Sequence, residues 1–498
     1  MVFFHSTIAP FRCYSICRSS RWIPYSTYIK NLLNNDNGKT KKSKIESLSP
    51  KRTRIKWTDE QKVILDAVSD GQSVFITGSA GTGKTLLMNN VVKRLKKIHP
   101  KGTVFVTAST GTAACGLNGQ TVHSFAGVGI GLGNDESREM LLERVMANAR
   151  ACYRWSRVES LVIDEISMIS HELFECLEYI ARKVKSGGSL SEEKIWGGIQ
   201  LVVSGDFFQL PPIMNKGEND GKVFAFEANC WNQSFDLHIE LTKIFRQADP
   251  QLIKVLQEIR KGAVDSESME ILEKRSFQSV PDPSVVQLFP HTEDVKRVNK
   301  IKMDSLESNI IAYNASDTGK GHWKRLLDKG IALERLELCV GARVMLIKNL
   351  NIFGKLVNGA TGTITRFNFY LDPMDKNDMD IRSICEYGNY LPVVKFDSGT
   401  EMVITPETWQ VMDGDKVVAQ RKQIRLMLAW AMSIHKCQGM TLDSLHTDLK
   451  RAFGPAMVYV ALSRVKSFSG LYLSGFDPAK IKAHPKVVQF YKTHFLKV

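Results

Sequence analysis

The sequence predicts an α/β fold with a parallel sheet in its first half, on three observations. VFI at 74–76 is a short β-branched and aromatic run that enters a glycine-rich loop and then a helical pattern reaching Lys97. Strand-length apolar runs alternate with helical patterns from residue 57 to about 240. Such alternation closes parallel sheets, because a crossover must carry the chain back before each new strand. One of the later runs, SLVI at 160–163, ends in two adjacent acids, Asp164 and Glu165.

The loop GSAGTGKT at 78–85 fits the phosphate-binding pattern G-x-x-x-x-G-K-[ST]. Gly78, Gly81 and Gly83 let the backbone turn tightly, with Ser79, Ala80 and Thr82 between them, so that successive N–H groups can face phosphate oxygens. The helix N-terminus that follows adds partial positive charge beneath them. Lys84 then reaches the β- and γ-phosphates as a point charge, and Thr85 offers its hydroxyl to Mg²⁺.

Ahead of this loop, Thr58 or Asp59 caps a helix carrying Val63, Ile64, Ala67 and Val68 on one face. Gln61 at its start has an amide with both donor and acceptor, able to read an adenine edge. A second strand at 103–107 runs into Ser109 and Thr110 at a helix start, which suits either phosphate contacts or an ordinary capped turn. TVHSF at 121–125 adds His123 and Phe125, a base-facing imidazole and ring. Residues from about 126 to 156 read as an excursion from the core.

The acid-ended strand has the form of a Walker-B segment. Asp164 can hold Mg²⁺, and Glu165 can orient and deprotonate an attacking water. A further strand, IQLVVS at 199–204, leads to GDFFQLPP, placing Gln209 at a strand's carboxyl end, where ligands of parallel sheets gather. LTKIFRQ at 241–247 closes the half and presents Arg246 as a candidate γ-phosphate finger.

Bulk properties bound the rest. The chain has 498 residues, 43% of them apolar and 24% charged, as in a soluble globular protein, and no run of eighteen apolar residues. Net charge is +15, but residues 1–56 carry twelve Lys/Arg against two acids, so the body is only mildly basic. That permits a polyanionic partner without requiring one. Nine cysteines include no C-x-x-C pair and read as reduced, mostly buried thiols. The first 35 residues have no acidic residue, and with their Ser, Thr, Arg and scattered apolar residues they resemble a mitochondrial import leader; an unaddressed disordered leader is the other reading. The basic clusters at 39–44 and 50–54 fit a nuclear address, a nucleic-acid patch or a solvated tail.

Taken in order, TDEQ, GSAGTGKT, ASTGTAA with TVHSF, VIDEISMIS, VVSGDFFQLPP and LTKIFRQ resemble superfamily-1 helicases of the Pif (petite integration frequency) family. The resemblance covers about residues 57–480. In the second half, SIHKCQG at 433–439 resembles the family's nucleic-acid-contacting motif, with His435, Lys436 and Gln438, and YVALSR at 459–464 resembles its last motif, with Arg464 as a second γ-phosphate arginine. It implies two RecA-like P-loop motor domains with parallel sheets, at 56–245 and 246–498, after a leader at 1–55. A small β-rich insertion falls at about 335–425 in the second. The implied activity is ATP- and Mg²⁺-dependent 5′→3′ translocation on single-stranded DNA, touched by Ser109, Thr110, His123, Phe125, His435, Lys436 and Gln438. It would unwind duplexes, RNA–DNA hybrids and G-quadruplexes, in mitochondrion, nucleus or both. The expected partners are single-stranded and tailed or structured DNA and no membrane, with a monomer that can dimerise on DNA. Such contacts predict weak sequence preference and strong salt dependence. Two positions depart from the family: Arg425 stands where it has proline, and Ala456–Met457 stands where it has Gly-Gln. The alternative is a nucleic-acid-stimulated ATPase clamp that remodels protein–DNA complexes without unwinding. A P-loop kinase or GTPase is disfavoured, since one α/β core would suffice for it.

Overall fold

The computed structural model describes residues 55–128, 137–187, 194–212, 221–276, 285–328, 330–350, 356, 358–369, 384–385, 390–413 and 416–495. All but the last residue of the leader at 1–55 lies outside them.

The first lobe is a six-stranded, wholly parallel sheet. Its strands are β1 (Val74–Gly78), β2 (Val104–Ala108), β3 (Gln120–Thr121), β4 (Ser160–Asp164), β5 (Gln200–Ser204) and β6 (Leu237–Leu241), in the spatial order β3-β2-β4-β5-β1-β6. The period-2 alternation of strands sends neighbouring residues to opposite faces. Phe75, Leu161, Ile163, Leu201 and Val203 pack in one core, while Val74, Ile76, Val162 and Val202 pack in another beneath the helices Asp59–Ser69 and Lys84–Ile98. Both faces are covered, which is why these strands read as continuous apolar runs. The segment expected as an excursion is instead anchored: Leu141, Val145, Ala151 and Trp155 on its helices belong to the first core.

The second lobe holds a smaller parallel sheet. Strand Val286–Phe289 lies between Ala431–Ser433 and Leu445–Thr447, and Leu471–Leu473 borders the latter. Between its first two strands in sequence the chain leaves for an antiparallel insertion with five-, three- and two-stranded sheets. Its strands run from Ile311–Asn314 to Leu426–Leu428, so it begins before the expected residue 335. The early strands, IAYN and SDTG, are only four residues each, the second wholly polar apart from its glycine, and neither shows the alternation that marks a strand in sequence. Cys176, Cys339, Cys385 and Cys437 are buried free thiols.

The second-half boundary of 246–498 needs correcting at its end. The helix Pro485–His494 returns to the first lobe, where Val487, Phe490 and Tyr491 complete its core. The Phe490 ring stacks on Phe226 at 4.3 Å and meets Phe207 edge-on at 5.5 Å. The Tyr491 hydroxyl bonds Thr77 Oγ1 at the end of β1. Phe490→Ala is expected to lower stability by about 3–5 kcal/mol, the usual loss for a buried phenyl ring, measured by urea denaturation of the full chain. A change below about 1 kcal/mol would mean that the helix adds little to that core.

Candidate functional site

The P-loop follows β1 and wraps the start of helix Lys84–Ile98. Gly83 caps that helix in the left-handed region (φ 84°), where a side chain is strained. Gly81 (φ 88°) is required twice over, since a Cβ there would lie 2.7 Å from that of Arg246. Lys84 Nζ donates to the carbonyls of Gly78 (2.5 Å) and Ser79 (3.1 Å), and the Thr82 hydroxyl donates to Ser79 (2.9 Å). Burial pushes the Lys84 ammonium below its ordinary value, against the pull of Asp206 and Glu165. A cavity of about 450 Å³ opens over the loop, lined by its residues 80–85, Glu165, Gln209, Phe245, Arg246 and Arg464.

The two acids sit at the carboxyl end of β4. Asp164 Oδ1 accepts from the Ser204 hydroxyl and from the Glu165 amide (2.9 Å), which ties β4 to β5. Burial raises the Asp164 carboxyl above its usual range. Glu165 takes a left-handed conformation (φ 54°, ψ 47°), costly for a residue with a side chain and typical of functional turns. Burial and the neighbouring Asp164 push its carboxyl up to about 7, the range a general base needs near neutrality. Gln209 Nε2 donates to Asp206 (3.3 Å) at the end of β5.

The other wall comes from the link between lobes and from the second lobe. Arg246 Nη1 donates to the Ser463 carbonyl (3.0 Å), and Gln247 Nε2 donates to those of Ser463 (3.2 Å) and Val465 (2.8 Å). Burial, with Arg464 nearby, lowers Arg246 to about 9. Arg464 is buried and its Nε donates to the Val460 carbonyl (2.9 Å). Tyr459 reaches across to the P-loop, where its hydroxyl accepts from the Ala80 amide (2.8 Å).

Gln61 is buried, and its Oε1 accepts from the Thr58 amide (3.0 Å) in a capping box, so the carbonyl has a structural use beside any base contact. Its Nε2 faces Gly83, as does Phe245, whose ring is 52% exposed at the cavity mouth. Sequence reasoning missed Phe245; the signal was an aromatic beside Arg246 at an exposed strand end. Tyr459 was quoted but given no role.

The expected strand contacts divide. His435 and Lys436 are exposed past the end of strand Ala431–Ser433, and His123 is half-buried. Ser109 and Thr110 follow β2: the Ser109 amide donates to the Asp164 carbonyl (3.1 Å), and Thr110 Oγ1 accepts from the Ala113 amide (3.2 Å) as a helix cap. Phe125 is a correction. It is fully buried between Phe105 (5.1 Å) and Trp155 (4.7 Å), so it is core and offers no face to a base. Gln438 also reaches the acids: its Nε2 donates to Glu165 Oε2 (3.1 Å), a contact the sequence did not foretell.

The departures also find reasons. Arg425 pairs with Glu407 (3.2 Å) and donates to the Thr405 carbonyl (3.2 Å), bracing the insertion where a proline would make neither contact. Ala456 has φ 70°, a conformation that suits the family's glycine, and Met457 is buried in the second-lobe core, where a glutamine amide would need partners.

A two-lobed P-loop protein, with a composite cavity for a nucleoside triphosphate at the seam of its lobes, is the class this fold and site define. Residues 56–270 match the model of the PIF1-like helicase family, and residues 323–367 that of the 2B domain of DNA helicase Pif1. ATP-dependent DNA helicase PIF1 of Emericella nidulans is 38% identical over 474 residues, covering 87% of this chain and 62% of its own length. The Homo sapiens protein of that name is 38% identical over 453 residues, covering 90% and 65%. The chain therefore spans a little under two thirds of the length of these relatives. The crystal structure of Pif1 helicase from Candida albicans superposes with TM-score 0.67 at 37% identity, over 88% of this chain and 99% of that one. Bacteroides sp Pif1 in complex with ADP-AlF4 gives 0.71 at 28%, over 89% and 98%. The chain belongs to the PIF1-like helicase family.

Phe245→Ala is expected to weaken nucleotide binding about tenfold, the scale of a lost base–aromatic stack, in a titration with a fluorescent ATP analogue; unchanged affinity would remove Phe245 from the site. Ala456→Gly should relieve the left-handed strain and raise stability by about 1 kcal/mol, read as a higher urea midpoint with the same slope. A lower midpoint would show that Ala456 is not strained.

Proposed function

We propose that this protein is an ATP-dependent DNA helicase that moves 5′→3′ on single-stranded DNA. The observation that carries the reading is the cavity shared between lobes, in which Lys84 and Glu165 of the first lobe face Arg464 of the second across Arg246. Support also comes from the names of its relatives and from the Bacteroides Pif1 structure in complex with ADP-AlF3 and ssDNA, with a TM-score of 0.56.

The donors at the loop fit magnesium: Thr85 and Asp164 offer hard oxygens, the set this ion prefers beside phosphates. Bound there, the ion would neutralise phosphate charge. Lys84 and the loop amides hold the β- and γ-phosphates, and Glu165 takes a proton from the attacking water as the bond from the γ-phosphorus to the bridging oxygen breaks. Arg246 and Arg464 stabilise the charge that develops on the transferred group. Release of phosphate removes the anion that the arginines share, and the lobes part. Gln438 and Ser109 would carry that movement to the strand, a role supported by the bond each makes to one of the two acids.

The finer readings belong to the same proposal: RNA–DNA hybrids and G-quadruplexes as further substrates, a monomer that pairs on DNA, and residence in mitochondrion, nucleus or both. Forked DNA with two coordinating Pif1 helicases is the subject of one related structure, which supports the pairing. Imaging a fluorescent fusion with and without residues 1–35 tests the address.

Strand displacement with ATP and magnesium, on matched duplexes bearing a 5′ or a 3′ tail, tests the main reading. Displacement from the 5′ tail alone, abolished in Lys84→Ala, is the expected outcome. DNA-stimulated ATP hydrolysis with no displacement from either tail would favour the remodelling clamp. Displacement from the 3′ tail would overturn the polarity.

A further inference from the structure

Phe453 is the most exposed large apolar side chain among the described residues, at 63%. Its ring stacks, offset, on the His291 imidazole, itself exposed, with centroids 5.0 Å apart and planes at 20°. One face of the phenyl is covered and the other meets solvent. A single exposed apolar residue is ordinary; an exposed phenyl stacked on an exposed imidazole makes a two-ring surface.

Topology says what that surface faces. Three adjacent parallel strands of the second lobe lead to the components at their carboxyl ends, two directly and Phe453 beyond the turn Leu449–Arg451, its stack on His291 bringing it to that edge. His435 and Lys436 follow Ala431–Ser433, His291 follows Val286–Phe289, and Phe453 follows Leu445–Thr447. Ser433 is level with Phe289, and Thr447 with Leu288, so the three ends lie along one edge, about 4.8 Å apart from strand to strand. Lys450 and Arg451 are exposed beside Phe453. Arg451 pairs with Asp294 (2.6 Å), which Arg297 also contacts (2.8 Å), Lys296 pairs with Glu293 (3.0 Å), and Asp448 accepts from the Lys450 amide (3.0 Å), so Lys436 and Lys450 are the cations this edge offers. What remains open is an aromatic face on a basic edge in line with the His435–Lys436 loop. That combination suits a polyanion carrying flat rings.

We propose that Phe453, backed by His291, is a stacking platform for a base of single-stranded nucleic acid on the second lobe. This rests on the single-strand reading above and adds a site to it. Stacking uses the π-face that every base has, so the platform discriminates little among sequences and can release one base for the next.

The test compares wild type, Phe453→Ala and Phe453→Trp by fluorescence anisotropy at fixed salt. Each is titrated against oligo-dT and against an abasic strand of the same length. Phe453→Ala should bind oligo-dT about tenfold more weakly, yet match wild type on the abasic strand, which has phosphates but no bases. Phe453→Trp should keep wild-type affinity, with indole emission quenched by oligo-dT and not by the abasic strand. Equal loss on both strands would overturn the platform, since the ring would then serve the backbone, a partner surface or the fold. So would full oligo-dT affinity in Phe453→Ala, or an indole that no base quenches. In those cases wild-type binding leaves the helicase reading standing; failure of wild type to bind any strand would sink both.

Discussion

The structure depends on the hydrogen-bonded seam between the link at 246–247 and the last motif. Arg246 and Gln247 satisfy the carbonyls of Ser463 and Val465, while Tyr459 satisfies the amide of Ala80. Gln247 and Tyr459 are buried, and a buried amide or hydroxyl left unpaired costs on the order of 1–3 kcal/mol. The lobes therefore meet in one register. Because the P-loop faces that register directly, the phosphate cradle and its arginines form a single composite site.

Beside this seam, the acids at the end of β4 are the point where several demands converge. Asp164 is shared with Ser204 on the neighbouring strand, its carbonyl with the Ser109 amide, and Glu165 with Gln438 from the other lobe. The left-handed turn at Glu165 lets one peptide unit serve the sheet on one side and aim a carboxylate into the cavity on the other. Loops from both lobes are thus one hydrogen bond from the two acids.

What the sequence made legible follows from how local each feature is. The P-loop and the acid-ended strand are contiguous, and their chemistry dictates residue types at fixed spacing, so both could be read residue by residue. The roles of Arg464, His435 and Lys436 came through family resemblance, since lone charges carry no spacing. Phe125 was misread because five residues of TVHSF do not reveal which side of a short helix faces inward; Trp155, thirty positions on, decides it. The bond from Gln438 to Glu165 was not legible, because the two residues lie in different lobes and only the meeting of the lobes puts that amide on the acid. The shortness of the strands at 311–319, with no alternation, hid the insertion's start. Nothing near residue 490 marks that helix as belonging to the first lobe.

That returning helix bears on how the molecule is made. Thr77 and Tyr491 are partners 414 positions apart, and the aromatic nest around Phe75 stays open until Phe490 arrives. Loops of that span close slowly. A chain emerging residue by residue would carry its first lobe nearly assembled, with an apolar gap beside the phosphate strand, through the synthesis of everything that follows. In the cell, that interval is when a chaperone would find it. Mutations that weaken the helix would then show as low yield before they show as low activity.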